Sequence, residues 1–524
     1  MTDPPILALA RTTRYDVGGN RKGSATGATW SFLLPNLSPG RVARLGVPNP
    51  ASRERLDVPA HLSVDGLPDD GRFDVIWIAP GGDGLVPDRA TLRARLTDGG
   101  LVVDERPDLG AAHLEDMARF RVLRRGGDTV VATPVGQPVV DAWLRGRGLA
   151  GPSRPGLRGR LRRVASVLRR GGRRSPSIAW GFLDLVGQPG LDRPPRYLRE
   201  LAATGGYDIA DHAWALSATG SYRTQKILVP LFAPGAPVPE FIVKLARHSS
   251  VNRRLLVELD GLHLLATFGP TIAERVPAIR FAGTCAGLLV VGESALDGGA
   301  FRAPAMQRHP LAADAVAWLT ELGVRTVAPV DPGEAAAALD ELVDMYVAAE
   351  GPGRALAGEL RAQVERIRRH PDLFPVVVQH GDPGTWNLIA MPGDRAGFLD
   401  WENLEARGMP LWDLFYLLRS LAVGSLPRRA LERRLGHVQR TFLDASELTP
   451  FIVGAVRRYC AQVGLADDLV EPLYHLGWMY QALKEVTRLA PGHLGEGHFY
   501  ALLRRGLERR GSGTLDSLFR GTRT

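Results

Sequence analysis

A chain of 524 residues exceeds what one hydrophobic core usually fills, so more than one domain is expected, and its 45% hydrophobic and 23% charged residues exclude global disorder. Two distant cysteines, Cys285 and Cys460, exclude a disulfide framework and a zinc site and fit a reducing compartment. The net charge of +9 divides into +11 over residues 1–294 and −2 over 295–524, which excludes a general nucleic-acid coat. The amino terminus lacks a signal-peptide pattern, and no stretch reaches the roughly 18 uncharged apolar residues of a spanning helix. The expectation is a cytoplasmic protein.

Residues 1–150 read as an α/β unit. Short apolar runs at 41–47 (RVARLGV), 73–79 (FDVIWIA) and 101–104 (LVVD) are expected strands, 91–96 has helical spacing, and 120–123 with 129–132 around GGD reads as a terminal hairpin. In this order FDVIWIAP, a helix, DGGLVVDE and a closing hairpin resemble a shortened, degenerate class I methyltransferase domain. A methyl-donor or dinucleotide site needs a glycine-rich turn after the first strand, but Gly46 is followed by Val47, Pro48, Asn49 and Pro50. No acidic residue is expected at the end of a second strand, so a structural or docking role is favoured over a working methyl-donor site.

Residues 151–205 form a junction. Nine arginines and no acid fall between Arg154 and Arg174, with Leu157, Leu161, Val164 and Leu168 at helical spacing. Such a basic amphipathic helix suits an anionic membrane surface or a polyanion, leaving open a peripheral location at the inner membrane face; the alternative is a solvated linker helix. It lacks the interleaved aromatics of a nucleic-acid site.

From His212 to Phe232 a strand, a small-residue turn at Thr219, Gly220 and Ser221, and a second strand are expected. A proline loop, 230–239, separates these from Glu240–Leu245, where Lys244 stands between apolar neighbours. Helical spacing follows in NRRLLVELDGLHLL, with Glu258 on the edge of its leucine face, and then the strand Leu288–Ser294. From Ala303 onward helical periodicity dominates, as in 335–349, 358–369 and 474–488. Trp412, Tyr416, Trp478 and Tyr480 are candidates for a pocket lining, though core packing is the commoner use of aromatics at this spacing. Lys484 reads as a helix-surface or lobe-packing residue, and Glu402 and Glu405 as candidate substrate contacts.

The informative segment runs from Val376: VVVQHGDPGTWNLIAMPGDRAGFLDWENLEARGMPLWDL. Two short strands flanking a loop would gather Asp382, Asn387 and Asp400 around one point. Phosphoryl transfer uses such a set, a carboxylate to take the acceptor proton and two oxygen ligands for magnesium. HGDPGTWN, then FLDWE, then Gly408, Pro410 and Asp413, resemble the aminoglycoside phosphotransferase and choline kinase group, with its protein-kinase-like fold, over about residues 206–510.

The resemblance implies Asp382 as catalytic base, His380 as the brace of the catalytic loop, Asn387 and Asp400 as metal ligands, and Asp413 as a buried buttress. It gives Lys244 to the nucleotide phosphates with Glu258 as its partner, Gly220 and Ser221 to a sparse phosphate turn, and 288–294 to the strand and hinge holding the purine. The expected fold is α/β plus α+β: a Rossmann-like domain (1–150), the arginine-rich junction (151–205), then a bilobal protein-kinase-like domain with a small β-rich lobe (206–294) and a large helical lobe (295–524). The expected activity is ATP- and Mg2+-dependent phosphorylation of a hydroxyl on a small molecule, a sugar, polyol or amino alcohol, with GTP as alternative donor. A non-catalytic nucleotide-binding regulator is the alternative function, and a methyltransferase with a kinase-like partner domain stands behind it.

Overall fold

The computed structural model describes residues 6–8, 29–37, 40–45, 63–65, 67, 71–79, 87–105, 116–125, 128–146, 178–219, 226–301, 310–350, 356–423, 431–486 and 493–520. The chain divides into two units. One comprises residues 24–252 and 279–295; the other comprises 1–23, 253–278 and 296–524.

The first unit is built on one sheet of thirteen strands. In chain order they are β1 (Val42–Leu45), β2 (Ser63–Asp65), β3 (Phe73–Ile78), β4 (Leu96–Asp104), β5 (Met117–Arg125), β6 (Asp128–Pro134), β7 (Ile178–Val186), β8 (Ala213–Trp214), β9 (Leu216–Ser217), β10 (Ile227–Phe232), β11 (Phe241–Leu245), β12 (Ile279–Cys285) and β13 (Leu288–Ser294). The spatial order is β12-β13-β11-β10-β9-β6-β5-β7-β4-β3-β1-β2, with β8 against β10. Helices α1 (Arg89–Ala94), α2 (Pro138–Gly146) and α3 (Arg196–Thr204) belong to this unit.

The expected strands at 41–47, 73–79 and 101–104 are β1, β3 and β4, and β2-β1-β3-β4 pair in parallel. Two expectations change. The hairpin β5–β6 is present but does not close the sheet, because β7 enters antiparallel between β4 and β5 and β6 pairs onward with β9. A carboxylate does end the second strand: β2 is Ser63–Val64–Asp65, too short and too weakly apolar for its pattern to be visible in sequence. Residues 46–62, with the turn after β1, and the arginine-rich helix at 154–174 lie outside the described residues.

The expected boundaries at 150 and 205 do not interrupt the hydrogen bonding. Val131 and Ala132 of β6 register with Ser217 and Leu216 of β9, and the Ala218 amide donates to the Val130 carbonyl at 2.8 Å. One apolar cluster likewise contains Trp77, Phe120 and Leu185 together with Trp214, Val229 and Phe241. Phe120 meets Trp214 edge to face at 5.8 Å. Buried polar groups are paired: the Trp77 indole donates to Glu105 at 2.9 Å, Arg124 also holds Glu105, and Arg119 grips Asp184 at 2.7 Å.

The second unit is mainly helical. In chain order it contains α4 (Asn252–Ala266, its first residue counted with the sheet unit), α5 (Pro270–Ala273), β14 (Gly299–Ala300), α6 (Pro310–Thr326), β15 (Ala328–Val330), α7 (Pro332–Glu350), α8 (Ala357–Arg368), β16 (Phe374–Gln379), β17 (Leu388–Met391), β18 (Arg395–Phe398) and β19 (Glu405–Gly408). It ends with α9 (Trp412–Val423), α10 (Leu431–Val438), α11 (Thr449–Val463), α12 (Val470–Val486), α13 (His498–Glu508) and α14 (Gly513–Phe519).

Helix α4, expected in the β-rich lobe, packs with this unit. Leu255, Glu258, Leu262 and Leu265 form its buried stripe, and bare Gly261 lies against Leu404, where a Cβ would fall 2.8 Å from that side chain. The chain start also belongs here: Ile6 and Leu7 are buried, and the Leu7 amide donates to the Arg407 carbonyl at 3.0 Å. Two three-stranded sheets carry the loops of interest, β15-β16-β19 and β14-β17-β18.

Candidate active site

Strand β16 is six residues long and buried throughout, a continuous apolar run covered on both faces. It delivers His380, Gly381 and Asp382 in succession. The single turn Thr385–Asn387 follows, and then β17. Gly381 has φ +81°, and a Cβ there would fall 2.4 Å from the Asn403 carbonyl oxygen, so glycine is required.

His380 has no exposed surface. Its Nε2 donates to the Leu399 carbonyl at 2.9 Å, and its Nδ1 accepts from the Asp382 amide at 3.3 Å. One ring nitrogen donating and one accepting defines the neutral ring. Burial agrees, pushing its pKa down to about 4. The ring also packs on Trp401, with centroids 4.2 Å apart.

Asp413, at the start of α9, accepts from the backbone amides of both His380 and Gly381. Burial raises its pKa to about 7, against the lowering effect of those two amides and of Lys484. The expected buttress is thus seen: a carboxylate that fixes the catalytic loop through its backbone.

Asp382 is half-buried, and its carbonyl accepts from the Gly384 amide at 2.8 Å and from Asn387 Nδ2 at 2.9 Å. The same Nδ2 lies 3.4 Å from Asp382 Oδ2. With its amide nitrogen directed at Asp382, Asn387 keeps Oδ1 as its donor to a cation. The Leu399 amide donates to the Asn387 carbonyl at 2.8 Å, so Asp400 begins where His380 and Asn387 both attach. Asp400 adopts φ +67°, a left-handed conformation uncommon for a residue with a side chain. The next amide, of Trp401, donates to Glu258 Oε1 at 3.1 Å. Glu258 is fully buried and is not an ordinary helix-surface carboxylate.

The structure therefore brings His380, Asp382, Asn387, Asp400 and Asp413 into one hydrogen-bonded loop system. Among the described residues no cluster of three or more His, Cys, Asp and Glu forms a metal site. The amide of Asn387 and the carboxylate of Asp400 are a hard oxygen pair of the kind magnesium takes when phosphates and water complete its shell.

Residues 233–446 match the family model described as the phosphotransferase enzyme family. The match spans the whole of the HGDPGTWN and FLDWE segment. The resemblance read from HGDPGTWN and FLDWE is borne out, and with it the enzyme class. Among solved structures, a glucosamine kinase in complex with glucosamine, ADP and inorganic phosphate is 17% identical, with 60% of this chain and 86% of that chain covered and a TM-score of 0.35. A GDP complex of aminoglycoside 2'-phosphotransferase-IIIa is 16% identical, covering 56% and 89%, with a TM-score of 0.32. A choline/ethanolamine kinase family protein from Mesorhizobium loti is 16% identical, covering 56% and 90%, also at 0.32. Likeness at this level carries no argument about substrate. No curated protein sequence matches the chain significantly.

In the sheet unit, Lys244 of β11 is 7% exposed and pairs with Glu293 of β13, Nζ to Oε2 at 2.9 Å. Glu293 is itself 1% exposed and was not singled out by the sequence reading, although LLVVGES shows a carboxylate inside an apolar strand. Glu258, the expected partner of Lys244, belongs to the other unit. The strand end leading to the expected phosphate turn is anchored twice: Arg247 donates to the Ala218 carbonyl at 2.6 Å and Arg125 of β5 to that of Thr219 at 3.2 Å. Gly220 and Ser221 lie outside the described residues.

Some other residues take different places from those expected. Lys484 is not a surface residue: its Nζ donates to the Gly381 carbonyl at 2.7 Å, in the catalytic loop. Glu405 is buried within β19, away from any role as an exposed substrate contact, and Glu402 pairs with Arg254 at 3.4 Å. Trp412, Tyr416, Trp478 and Tyr480 are all buried, so the core reading of these aromatics holds. Trp386, inside the catalytic turn and passed over in the sequence, is the exposed one. Among the described residues no helix is long and apolar enough to cross a membrane.

Proposed function

We propose that the chain transfers the γ-phosphoryl group of ATP to a hydroxyl of a small molecule, with Asp382 as the catalytic base. The observation that supports this most is the Asp382–Asn387 link at the end of β16, held from below by Asp413 and from the side by His380. The acceptor O–H donates to the Asp382 carboxylate, which takes the proton as the oxygen–phosphorus bond forms and the bond to the leaving nucleoside diphosphate breaks. Asn387 and Asp400 are the residues that would hold magnesium, which supplies charge neutralisation between the nucleotide phosphates. Lys244 is assigned to the phosphates by the family pattern, with Glu293 as the carboxylate that holds its ammonium. Positioning and electrostatics carry the catalysis, so no covalent phosphoenzyme is invoked.

The test is calorimetric titration with ATP and with GTP, each with and without magnesium, on wild type, Asp382→Asn and Asp400→Ala. Binding that requires magnesium and is weakened in Asp400→Ala, with nucleotide affinity kept but transfer lost by about 10²- to 10⁴-fold in Asp382→Asn, is the expected pattern. Equal transfer by wild type and Asp382→Asn would remove Asp382 as the base.

A further inference from the structure

Trp386 is the only tryptophan, tyrosine or phenylalanine of the helical unit that is exposed among the described residues, at 57%. It sits four residues after Asp382 and immediately before Asn387. Its position is fixed rather than fluid. The indole lies against the bare Cα of Gly384, where a Cβ would fall 2.3 Å from Cζ2 and 2.4 Å from Cε2 of the ring. Tyr416 of α9 meets it edge to face, with centroids 6.0 Å apart at 83°. The turn is pinned to α9, since Ser420 Oγ accepts from the Thr385 amide at 2.9 Å, and the Asn387 amide closes it on the Gly384 carbonyl at 2.8 Å.

An indole costs free energy when left in water, and a side chain in a catalytic turn needs no large apolar surface for its own packing. The ring therefore offers a flat apolar face on the same short loop as the proposed base. Its Nε1–H meets no acceptor among the described residues. A flat apolar face with one hydrogen-bond donor at its rim suits a ligand that is itself apolar on one face and ringed with hydroxyls.

We propose that Trp386 is the acceptor platform and that the acceptor is a saccharide: the C–H face of a pyranose ring stacks on the indole while one of its hydroxyls is presented to Asp382. The proposal rests on the kinase reading above and names its substrate class. A quaternary ammonium, the alternative among small hydroxyl acceptors, is recognised by a cage of several aromatic faces. Here the ring that meets Trp386 is the buried Tyr416, set at 83° to it, so no second exposed aromatic among the described residues of this unit completes a cage, and an ammonium would leave the indole N–H without an acceptor.

The test is saturation-transfer NMR on the full chain with magnesium and ADP, using methyl glucopyranosides, methyl galactopyranosides and maltose as probes and choline and glycerol as comparisons, for wild type, Trp386→Ala and Trp386→Phe. The expected result is pyranose signal strongest on the protons of one ring face, at least five-fold weaker in Trp386→Ala and partly kept in Trp386→Phe. Equal pyranose signal in wild type and Trp386→Ala, signal from choline alone, or no pyranose signal in wild type would each overturn the proposal. Magnesium-dependent ATP binding measured on the same samples separates this from the kinase reading: wild type that binds no nucleotide fails that reading, whereas intact nucleotide binding in Trp386→Ala shows that the variant is folded.

Discussion

Lys484, in the last turn of α12, donates its ammonium to the carbonyl of Gly381 at 2.7 Å. A cation from a distant helix thus holds the one residue of the catalytic loop that has to be glycine. Removing it should let the loop shift without touching the reacting groups. Lys484→Met is expected to lower kcat by about 100-fold, the scale on which a displacement of about 1 Å acts, with the KM for ATP little changed. An equal fall in affinity for ATP would place its effect elsewhere.

The Lys244–Glu293 pair is buried on both sides, so removing one partner leaves the other charge in an apolar strand. Lys244→Met is expected to cost about 3–5 kcal/mol of stability, and Lys244→Met with Glu293→Leu to recover much of it. Denaturant unfolding measures both. Nucleotide binding should be lost in the single and the double variant alike, which separates the structural charge from the phosphate contact.

Acidification should weaken the fold through His380. Its pKa falls from the ordinary 6.5 to about 4 on burial, so between those values the unfolded chain binds a proton that the folded chain refuses. Stability therefore falls as pH drops from about 6.5 to about 4, and this contribution stops changing below. Asp413 acts in the opposite sense: with its pKa raised from 3.8 to about 7, it favours the folded state at the acid end of that interval. In His380→Asn the melting temperature should lose less on going from pH 6.5 to pH 4 than in wild type. An unchanged slope would show that His380 is not buried neutral.

A chain cut at residue 206 should not behave as an independent kinase domain. It would bare the edge of β9 and the faces of Trp214 and Leu216 that pack with Phe120 and Val122. Exposed strand edges with apolar faces associate, so a 206–524 fragment is expected to aggregate where the full chain does not, as light scattering would show.

Much of the catalytic loop was legible because its chemistry is written contiguously: HGDPGTWN and FLDWE fix residue types at short spacing. β1, β3 and β4 were legible because unbroken apolar runs mark strands buried on both faces. Lys484 was not, since a lysine on an amphipathic helix has the same sequence appearance whether it ends in water or on a carbonyl across the fold. Glu293 lies hidden in an apolar strand, and nothing in the sequence around Trp386 distinguishes an exposed indole from a buried one. The insertion of β7 between β4 and β5 is a long-range pairing, with 52 residues of chain between β5 and β7, which local periodicity does not report.

The sheet unit is completed only by residues 279–295, after a helical excursion that belongs to the other unit. During synthesis, the amino-terminal strands emerge first but cannot bury β11 until β13 has left the ribosome. The growing chain must therefore carry an unfinished edge through α4 and α5, and Lys244 gains Glu293 only at the end of that interval. The lysine proposed for the nucleotide phosphates thus meets its carboxylate only with the last strand of the sheet, so a chain stalled before residue 279 holds neither a closed core nor the Lys244–Glu293 pair.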